Sequence, residues 1–307
     1  MRILMPDQAE FRALKLPGAE LAHYPIGAVG SGSNSADRAG SRLPEGSFEG
    51  VVGWGMPRAL RREALSRPGL DWALTLTAGI DGWADELPPG VKLYNASPLH
   101  GGAVAQHAAA ALLAAGRGLI RFATRSEWDR SGTLWTLHGR RVVIWGQGHI
   151  GRELERLIAP FGAQVTGLRS TSTPEQVRHA LGEADDLVLL LPLTGATQQI
   201  VNAEVLGHLK PGAWLHNFGR GPLVDSLALL AALDSGQLSG AVLDVTDPEP
   251  LPPGHALWGR PNVLITPHIA STTEDLSLRA AEYAAQFVQA LLRGEEGAGR
   301  VERGKGY

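Results

Sequence analysis

At 307 residues the chain has room for two domains of about 150 residues each. Its 44% hydrophobic and 19% charged residues fit a soluble globular protein, and a net charge of −3 gives no electrostatic case for nucleic acid or an anionic membrane. The absence of cysteine excludes disulfides, thiolate catalysis and zinc–cysteine sites.

The start, Met1-Arg-Ile-Leu-Met-Pro-Asp7, carries an apolar run too short for a signal peptide and broken by Pro6. No segment reaches the ~18 to 20 uninterrupted apolar residues of a membrane span; Ala103–Ala115 is interrupted by Gln106 and His107. A cytoplasmic protein is expected. In the first ~98 residues, strands are predicted at Arg2–Met5, Glu20–Tyr24, Gly50–Trp54, Trp72–Leu76 and Val91–Tyr94, alternating with helical stretches as in a small α/β unit. The Gly/Ser-rich tract from Gly30 to Gly46 has no apolar period and reads as a surface loop. The Ala-rich segment Gly102–Gly116 reads as a helix leading into a second unit. There, strands are predicted at Arg141–Trp145, Gln164–Leu168, Leu187–Leu191, Trp214–Asn217, Gly240–Val245 and Val263–Thr266. Thr272 to about Gly294 has a helical period, and the Gly- and charge-rich tail from Glu295 is expected to fray.

Gly146-Gln-Gly-His-Ile-Gly151 follows the apolar run Val142–Trp145 and precedes the helix-like Arg152–Ile158. In that setting Gly146 permits a tight turn out of a buried strand, Gly148 lets backbone approach a pyrophosphate, and Gly151 lets the helix pack close to the sheet. The helix N-terminus then offers its unpaired N–H groups to the phosphates. Downstream, Arg220 in Asn217-Phe-Gly-Arg-Gly221, Glu249 in Asp244–Pro250 and His268 in Thr266-Pro-His-Ile-Ala-Ser271 each lie just past a strand-like run. In an open parallel sheet, residues so placed can converge beyond the carboxyl ends of the strands.

From about Leu74 to Ser271, with these motifs in order, the sequence resembles the D-isomer-specific 2-hydroxyacid dehydrogenase family, its glyoxylate/hydroxypyruvate reductase group in particular. The fold expected is α/β: a Rossmann-type doubly wound parallel sheet at residues 99–274, with a flavodoxin-like substrate-binding domain made of 1–98 and 275–307. The reaction implied moves a hydride between NADPH or NADH and a small 2-keto or D-2-hydroxy acid. His268 is the expected acid/base, since imidazole titrates at about 6.5 and can give and recover a proton near neutrality. Glu249 is expected to orient its ring and favour the imidazolium. Arg220 offers a permanently charged fork for the substrate carboxylate. Leu76-Thr-Ala-Gly-Ile-Asp81 resembles the family's substrate loop, placing N–H groups of Thr77, Ala78 and Gly79 on the carboxylate.

The resemblance also implies cofactor contacts: the His149 and Ile150 N–H groups at the pyrophosphate, and Leu191, Pro192 and Thr197 beside the adenosine and nicotinamide ribose. Phe218 and Gly219 are expected along the nicotinamide, and Asp244 is expected to accept from its carboxamide. Two positions depart from the common family pattern. Where NAD-preferring members carry an acid for the ribose 2′-OH, this chain has Arg169 followed by Ser170 and Thr171, which suits a 2′-phosphate. NADP(H) is therefore expected to be preferred, with NAD(H) possible. Gln106 stands where many relatives have glutamate, and no mechanism is attached to that change.

The substrate's side chain is less specified. Trp54 ends a strand and offers an apolar wall, while Arg58, Arg61 and Arg62 could greet a phosphate or form a solvated helix face. The alternatives are phosphoglycerate, formate or phosphite dehydrogenases on the same scaffold, or a nucleotide-sensing, corepressor-like binding protein. No nucleic acid, membrane or metal partner is expected. A homodimer through the nucleotide-binding domain is implied by resemblance.

Overall fold

The computed structural model describes residues 1–26, 42–123, 125–128 and 130–302. The Gly/Ser-rich tract expected as a surface loop lies for the most part outside them. The described chain forms two compact units, residues 1–100 with 272–307 and residues 101–271.

The first unit holds a five-stranded parallel sheet: β1 (Arg2–Pro6), β2 (Glu20–Tyr24), β3 (Gly50–Gly53), β4 (Trp72–Thr75) and β5 (Lys92–Asn95), in the order β2-β1-β3-β4-β5. That is the flavodoxin order, 2-1-3-4-5. Side chains alternate between two buried faces. Ile3, Met5, Val52 and Leu74 face one core, and Leu4, Val51, Ala73 and Leu93 the other. The helix Leu276–Leu292 covers the first of these faces, burying Ala280, Ala284, Phe287 and Val288, and its Phe287 ring lies edge-on to Trp72 and Tyr94 at 5.3 and 4.8 Å.

The second unit contains β6 (Arg141–Trp145), β7 (Gln164–Leu168), β8 (Asp186–Leu189), β9 (Ala213–Asn217), β10 (Leu238–Leu243) and β11 (Val263–Ile265), all parallel, in the order β11-β10-β9-β8-β6-β7. Counted within the unit the order is 2-1-3-4-5-6, so the β7 side is one strand shorter than in the 3-2-1-4-5-6 sheet. The strand order reverses at β6, whose neighbours are β7 on one side and β8 on the other; the crevice beyond such a switch point is where open α/β sheets bind ligands. β6 reads as a continuous apolar run because both its faces are buried, whereas edge strand β7 alternates exposed and covered residues.

The tail does not fray as far as it is described. β5 is an edge strand with unpaired backbone groups, and the tail covers them: Asn95 N donates to Gly299 O at 2.8 Å, Val301 N donates to Leu93 O at 2.9 Å, and Val301 is buried.

Candidate active site

In the second unit, the segments that follow the strands form one row at the sheet's carboxyl edge. In spatial order they are 266–270 after β11, 244–250 after β10, 217–221 after β9, 190–192 after β8, 146–151 after β6 and 169–172 after β7. The row spans five strand spacings, roughly 24 Å at ~4.8 Å each, a length that suits an extended ligand.

The three motif glycines meet three different surroundings. Gly146 has φ +107°, and a Cβ there would fall 2.5 Å from the Leu190 carbonyl carbon. At Gly151 a Cβ would lie 2.9 Å from the Gly146 oxygen and 3.1 Å from Ile144 Cγ2, so helix and strand can close only without a side chain. Around Gly148 a Cβ would meet nothing within 4 Å, which leaves room for a ligand against the backbone. Three other helices of this unit start under side-chain caps: Thr173 with Gln176 in a capping box, Asn202, and Asp225. The helix His149–Ile158 begins at Gly148 with no side-chain cap, and the N–H groups of His149, Ile150 and Gly151 make no hydrogen bond among the described residues. An uncapped, unoccluded helix start beside glycines fits a dinucleotide pyrophosphate. Leu191 and Pro192 continue from the Leu190 backbone that packs on Gly146. Thr197 closes their loop by donating to Pro192 O at 2.7 Å and accepting from Thr194 N at 2.8 Å.

Arg169, at the end of β7, is exposed, and its Nη2 donates to Gln147 Oε1 at 3.3 Å. Arg169 N donates to Ser172 Oγ and Ser172 N to Arg169 O, closing a turn that also carries Ser170 and Thr171.

At the other end of the row, His268 Nδ1 donates to Glu249 Oε1 at 2.7 Å, which fixes the proton on Nδ1 while the carboxylate is ionised and leaves Nε2 as the nitrogen that could exchange a proton with a ligand. Burial pushes the Glu249 carboxyl up. The His268 hydrogen bond and charge, a backbone bond from Thr246 and the charge of Arg220 outweigh it and hold Glu249 below the usual carboxylate range. Arg220 is half-buried, with Nη1 donating to Gly219 O at 2.7 Å. Asn217 shapes its turn, accepting from Gly219 N and donating to Arg220 O. A Cβ on Gly221 would collide with the Thr246 carbonyl, so this turn lies directly on the segment that carries Glu249.

Asp244, expected to accept from the nicotinamide carboxamide, has another task. Its buried carboxylate accepts from Ile269 N and Ala270 N, each at 3.0 Å, and from Thr266 Oγ1 at 2.6 Å, while Asp244 O accepts from His268 N at 2.8 Å. These bonds pin the turn in which His268 adopts φ +52°, a conformation uncommon outside glycine. Asp244→Asn would set an amide NH₂ against one of these N–H donors. The expected cost is about 1.5–3 kcal/mol for a lost charge-assisted bond, with a fall in kcat. Denaturant unfolding and initial rates check this, and wild-type values in both would remove the pinning role. The Phe218 side chain, expected along the nicotinamide, is buried in the core with its ring edge-on to His107 at 5.7 Å, so only its backbone lies on the row.

In the first unit, the first four carbonyls of the expected substrate loop are held. Leu76 O faces His100 Nε2 at 2.9 Å, Thr77 O accepts from Ala96 N at 3.0 Å, Ala78 O from Asn95 Nδ2 at 3.2 Å, and Gly79 O from Thr77 Oγ1 at 2.6 Å. Thr75 Oγ1 lies 2.7 Å from that Thr77 hydroxyl and, since Thr77 donates onward, is the donor to it. The N–H groups of Thr77, Ala78 and Gly79 make no bond among the described residues, which makes the loop a ready anion acceptor. Thr75, Asn95 and His100 are the positioning residues that sequence reading missed. Burial pushes the His100 imidazole down, which suits a neutral ring donating to a carbonyl.

Trp54 forms no open wall: it is packed with Leu76 and Leu99, and its buried Nε1–H has no hydrogen-bond partner among the described residues. Arg58, Arg61 and Arg62 each turn Nε onto Glu86, at 2.8, 2.9 and 2.8 Å. Burial pushes the Glu86 carboxyl up, but the three guanidinium hydrogen bonds hold it down at about 2. The cluster thus carries its own counter-ion, which weakens the phosphate reading. Nothing in the structure explains Gln106, which is exposed. No group of three or more metal-ligating side chains occurs among the described residues, and no helix there is long and apolar enough to cross a membrane.

Residues 109–270 match the model of the D-isomer specific 2-hydroxyacid dehydrogenase NAD-binding domain. A glyoxylate/hydroxypyruvate reductase A of Salmonella typhimurium is 38% identical over 176 residues, 54% of this chain and 56% of that protein. The chain spans 56 to 60% of the length of the first curated relatives it matches. Among solved structures, the NADPH-dependent glyoxylate/hydroxypyruvate reductase of Sinorhizobium meliloti in complex with NADP and sulfate is 25% identical. It aligns with TM-score 0.82 over 100% of this chain and 99% of that one. A D-isomer specific 2-hydroxyacid dehydrogenase of Xanthobacter autotrophicus Py2, in complex with NADPH and MES, is 27% identical, with TM-score 0.79 over 100% and 99%.

Proposed function

Since the chain belongs to the D-isomer specific 2-hydroxyacid dehydrogenase family, we propose that it is a cytoplasmic NADPH-preferring reductase of small 2-keto acids, with glyoxylate and hydroxypyruvate as the leading substrates. The observation that carries this reading is the His268–Glu249 pair, hydrogen-bonded at 2.7 Å on the same strand-end row as the glycine loop. Bound NADPH supplies the hydride for the carbonyl carbon. His268 donates the proton from Nε2 to the carbonyl oxygen and is left as the neutral ring; Glu249 holds Nδ1–H so that the ring presents that nitrogen, and its carboxylate balances the imidazolium charge that precedes the transfer. The Arg220 fork pairs with the carboxylate. Gly148 and the N–H groups of His149 and Ile150 would hold the pyrophosphate, with Leu191, Pro192, Thr197 and Gly219 farther along the row. Arg169 and Ser170 would face the adenosine 2′-phosphate.

Arg220→Lys is expected to raise KM for a carboxylate substrate about 10- to 100-fold, because a point charge cannot replace two parallel hydrogen bonds of about 1.5–3 kcal/mol each. An unchanged KM would put the carboxylate elsewhere. The substrate class is tested by initial rates with glyoxylate, hydroxypyruvate and pyruvate, each against NADPH and NADH, with formate and phosphite oxidation as the contrary arm. Turnover of formate or phosphite alone would replace the keto-acid reading. Absence of any turnover with retained cofactor binding would favour a nucleotide-sensing role.

A homodimer is part of this proposal. Leu119, Trp128 and Leu134 are exposed after the helix Ser97–Gly116, a density of apolar side chains that suits a second copy. A monomeric mass by light scattering would remove it.

A further inference from the structure

Gln147 occupies the variable position between the first two motif glycines, and its side chain is held in one place. A Cβ on Gly167 would collide with its carboxamide, so the amide lies across β7 at the single residue that leaves room for it. Its Nε2 donates to Glu155 Oε2 at 2.6 Å, and its Oε1 accepts from Arg169 Nη2 at 3.3 Å. An ionised carboxylate only accepts and a guanidinium only donates, so the amide can take just one orientation between them. The Arg169 backbone is already fixed by the turn to Ser172. Only the direction of its side chain remains to be set.

We propose that Gln147 is a positioning residue for cofactor choice, an amide spacer that gives Arg169 a neutral acceptor and keeps its guanidinium off Glu155. This rests on the reading of Arg169 as the group that faces the 2′-phosphate. Opposite charges on two flexible, partly solvated side chains one amide apart pair directly when the amide is removed. A guanidinium paired with Glu155 has spent donors that a phosphate would otherwise receive.

The test measures equilibrium dissociation constants for NADP⁺ and NAD⁺ by calorimetry on the intact protein, in wild type, Gln147→Met, Glu155→Ala, the double variant and Arg169→Ala. Methionine keeps the bulk over Gly167 and removes both hydrogen bonds. Gln147→Met is expected to lower the NADP⁺-over-NAD⁺ affinity ratio about tenfold, the worth of one charge-assisted bond. Adding Glu155→Ala is expected to return the ratio to within about twofold of that in Glu155→Ala alone, the scatter of independent sites. If Arg169→Ala collapses the ratio while Gln147→Met leaves it, the spacer role is overturned and the reading of Arg169 stands. Loss in Gln147→Met without rescue by Glu155→Ala also overturns it, because packing would then be the cause. If Arg169→Ala leaves the ratio unchanged, the reading of Arg169 fails and takes the spacer with it. Thermal midpoints identify any variant that does not fold, and Gln147→Ser then replaces Gln147→Met in the same comparison.

Discussion

His268→Gln is expected to lose about 10²- to 10⁴-fold in kcat, the range for removal of a general acid–base group, while binding NADPH as tightly as wild type. Glutamine can retain a hydrogen bond to Glu249 but holds no proton that it can release and recover near neutral pH. The backbone at this position is left-handed, with φ +52°. Asparagine tolerates that conformation better than most residues, so His268→Asn separates lost chemistry from backbone strain. Both variants should fall together. Stopped-flow single turnover and fluorescence titration of NADPH read the two quantities on one sample, and near-normal turnover in either variant would remove His268 from the reaction.

Arg169→Asp carries the other large effect. A guanidinium gives a 2′-phosphate two charge-assisted hydrogen bonds of roughly 1.5–3 kcal/mol each, before the cost of desolvating both groups. A net preference for NADPH of about 10- to 10³-fold in kcat/KM follows in the wild type. Aspartate removes the fork, repels the phosphate and offers an acceptor to a ribose 2′-OH. NADPH should weaken, NADH should improve, and the ratio should approach or cross unity. An unchanged ratio in kcat/KM would mean that Arg169 stacks on adenine or serves no cofactor at all.

Much of the fold is legible in local pattern because buried parallel strands read as short apolar runs between turn residues. All eleven predicted strands occur, with ends shifted by no more than two residues. The glycine loop is legible for a related reason: the positive φ of Gly146 and the approach of Gly151 to the Gly146 oxygen arise within the motif itself and call for glycine. Side-chain-to-backbone bonds across the chain are not local. Asp244 reaches Ile269 and Ala270 over 25 and 26 residues, and a strand-end aspartate gives no sign of whether it faces a ligand or a loop. Phe218 and Trp54 come just past strands at the carboxyl edge, yet their rings turn into the core. The tail after Glu295 offers Val301 as its main apolar anchor, too little for a period, and its docking depends on the open edge of β5. Asn95 and His100 act by holding carbonyls of a loop and Thr75 by bonding the Thr77 hydroxyl, roles that no spacing of residue types announces.

The central claim is that His268 and Glu249 form the proton-donating pair of a 2-keto acid reductase. Reduction needs the imidazolium, so kcat/KM should fall as pH rises and the proton is lost; oxidation of the 2-hydroxy acid needs the neutral ring and should rise. On the acid side, the depressed Glu249 carboxyl keeps its charge through the ordinary carboxylate range. Its contribution to stability is full above that range and is lost as pH falls through the depressed value. Glu249→Gln removes a negative charge 2.7 Å from Nδ1 of His268. The most direct measurement is therefore the pH profile of kcat/KM for glyoxylate reduction with saturating NADPH, in wild type and Glu249→Gln side by side. The account predicts an alkaline limb displaced to lower pH in the variant, whereas coincident limbs would contradict the pairing of Glu249 with the group that donates the proton.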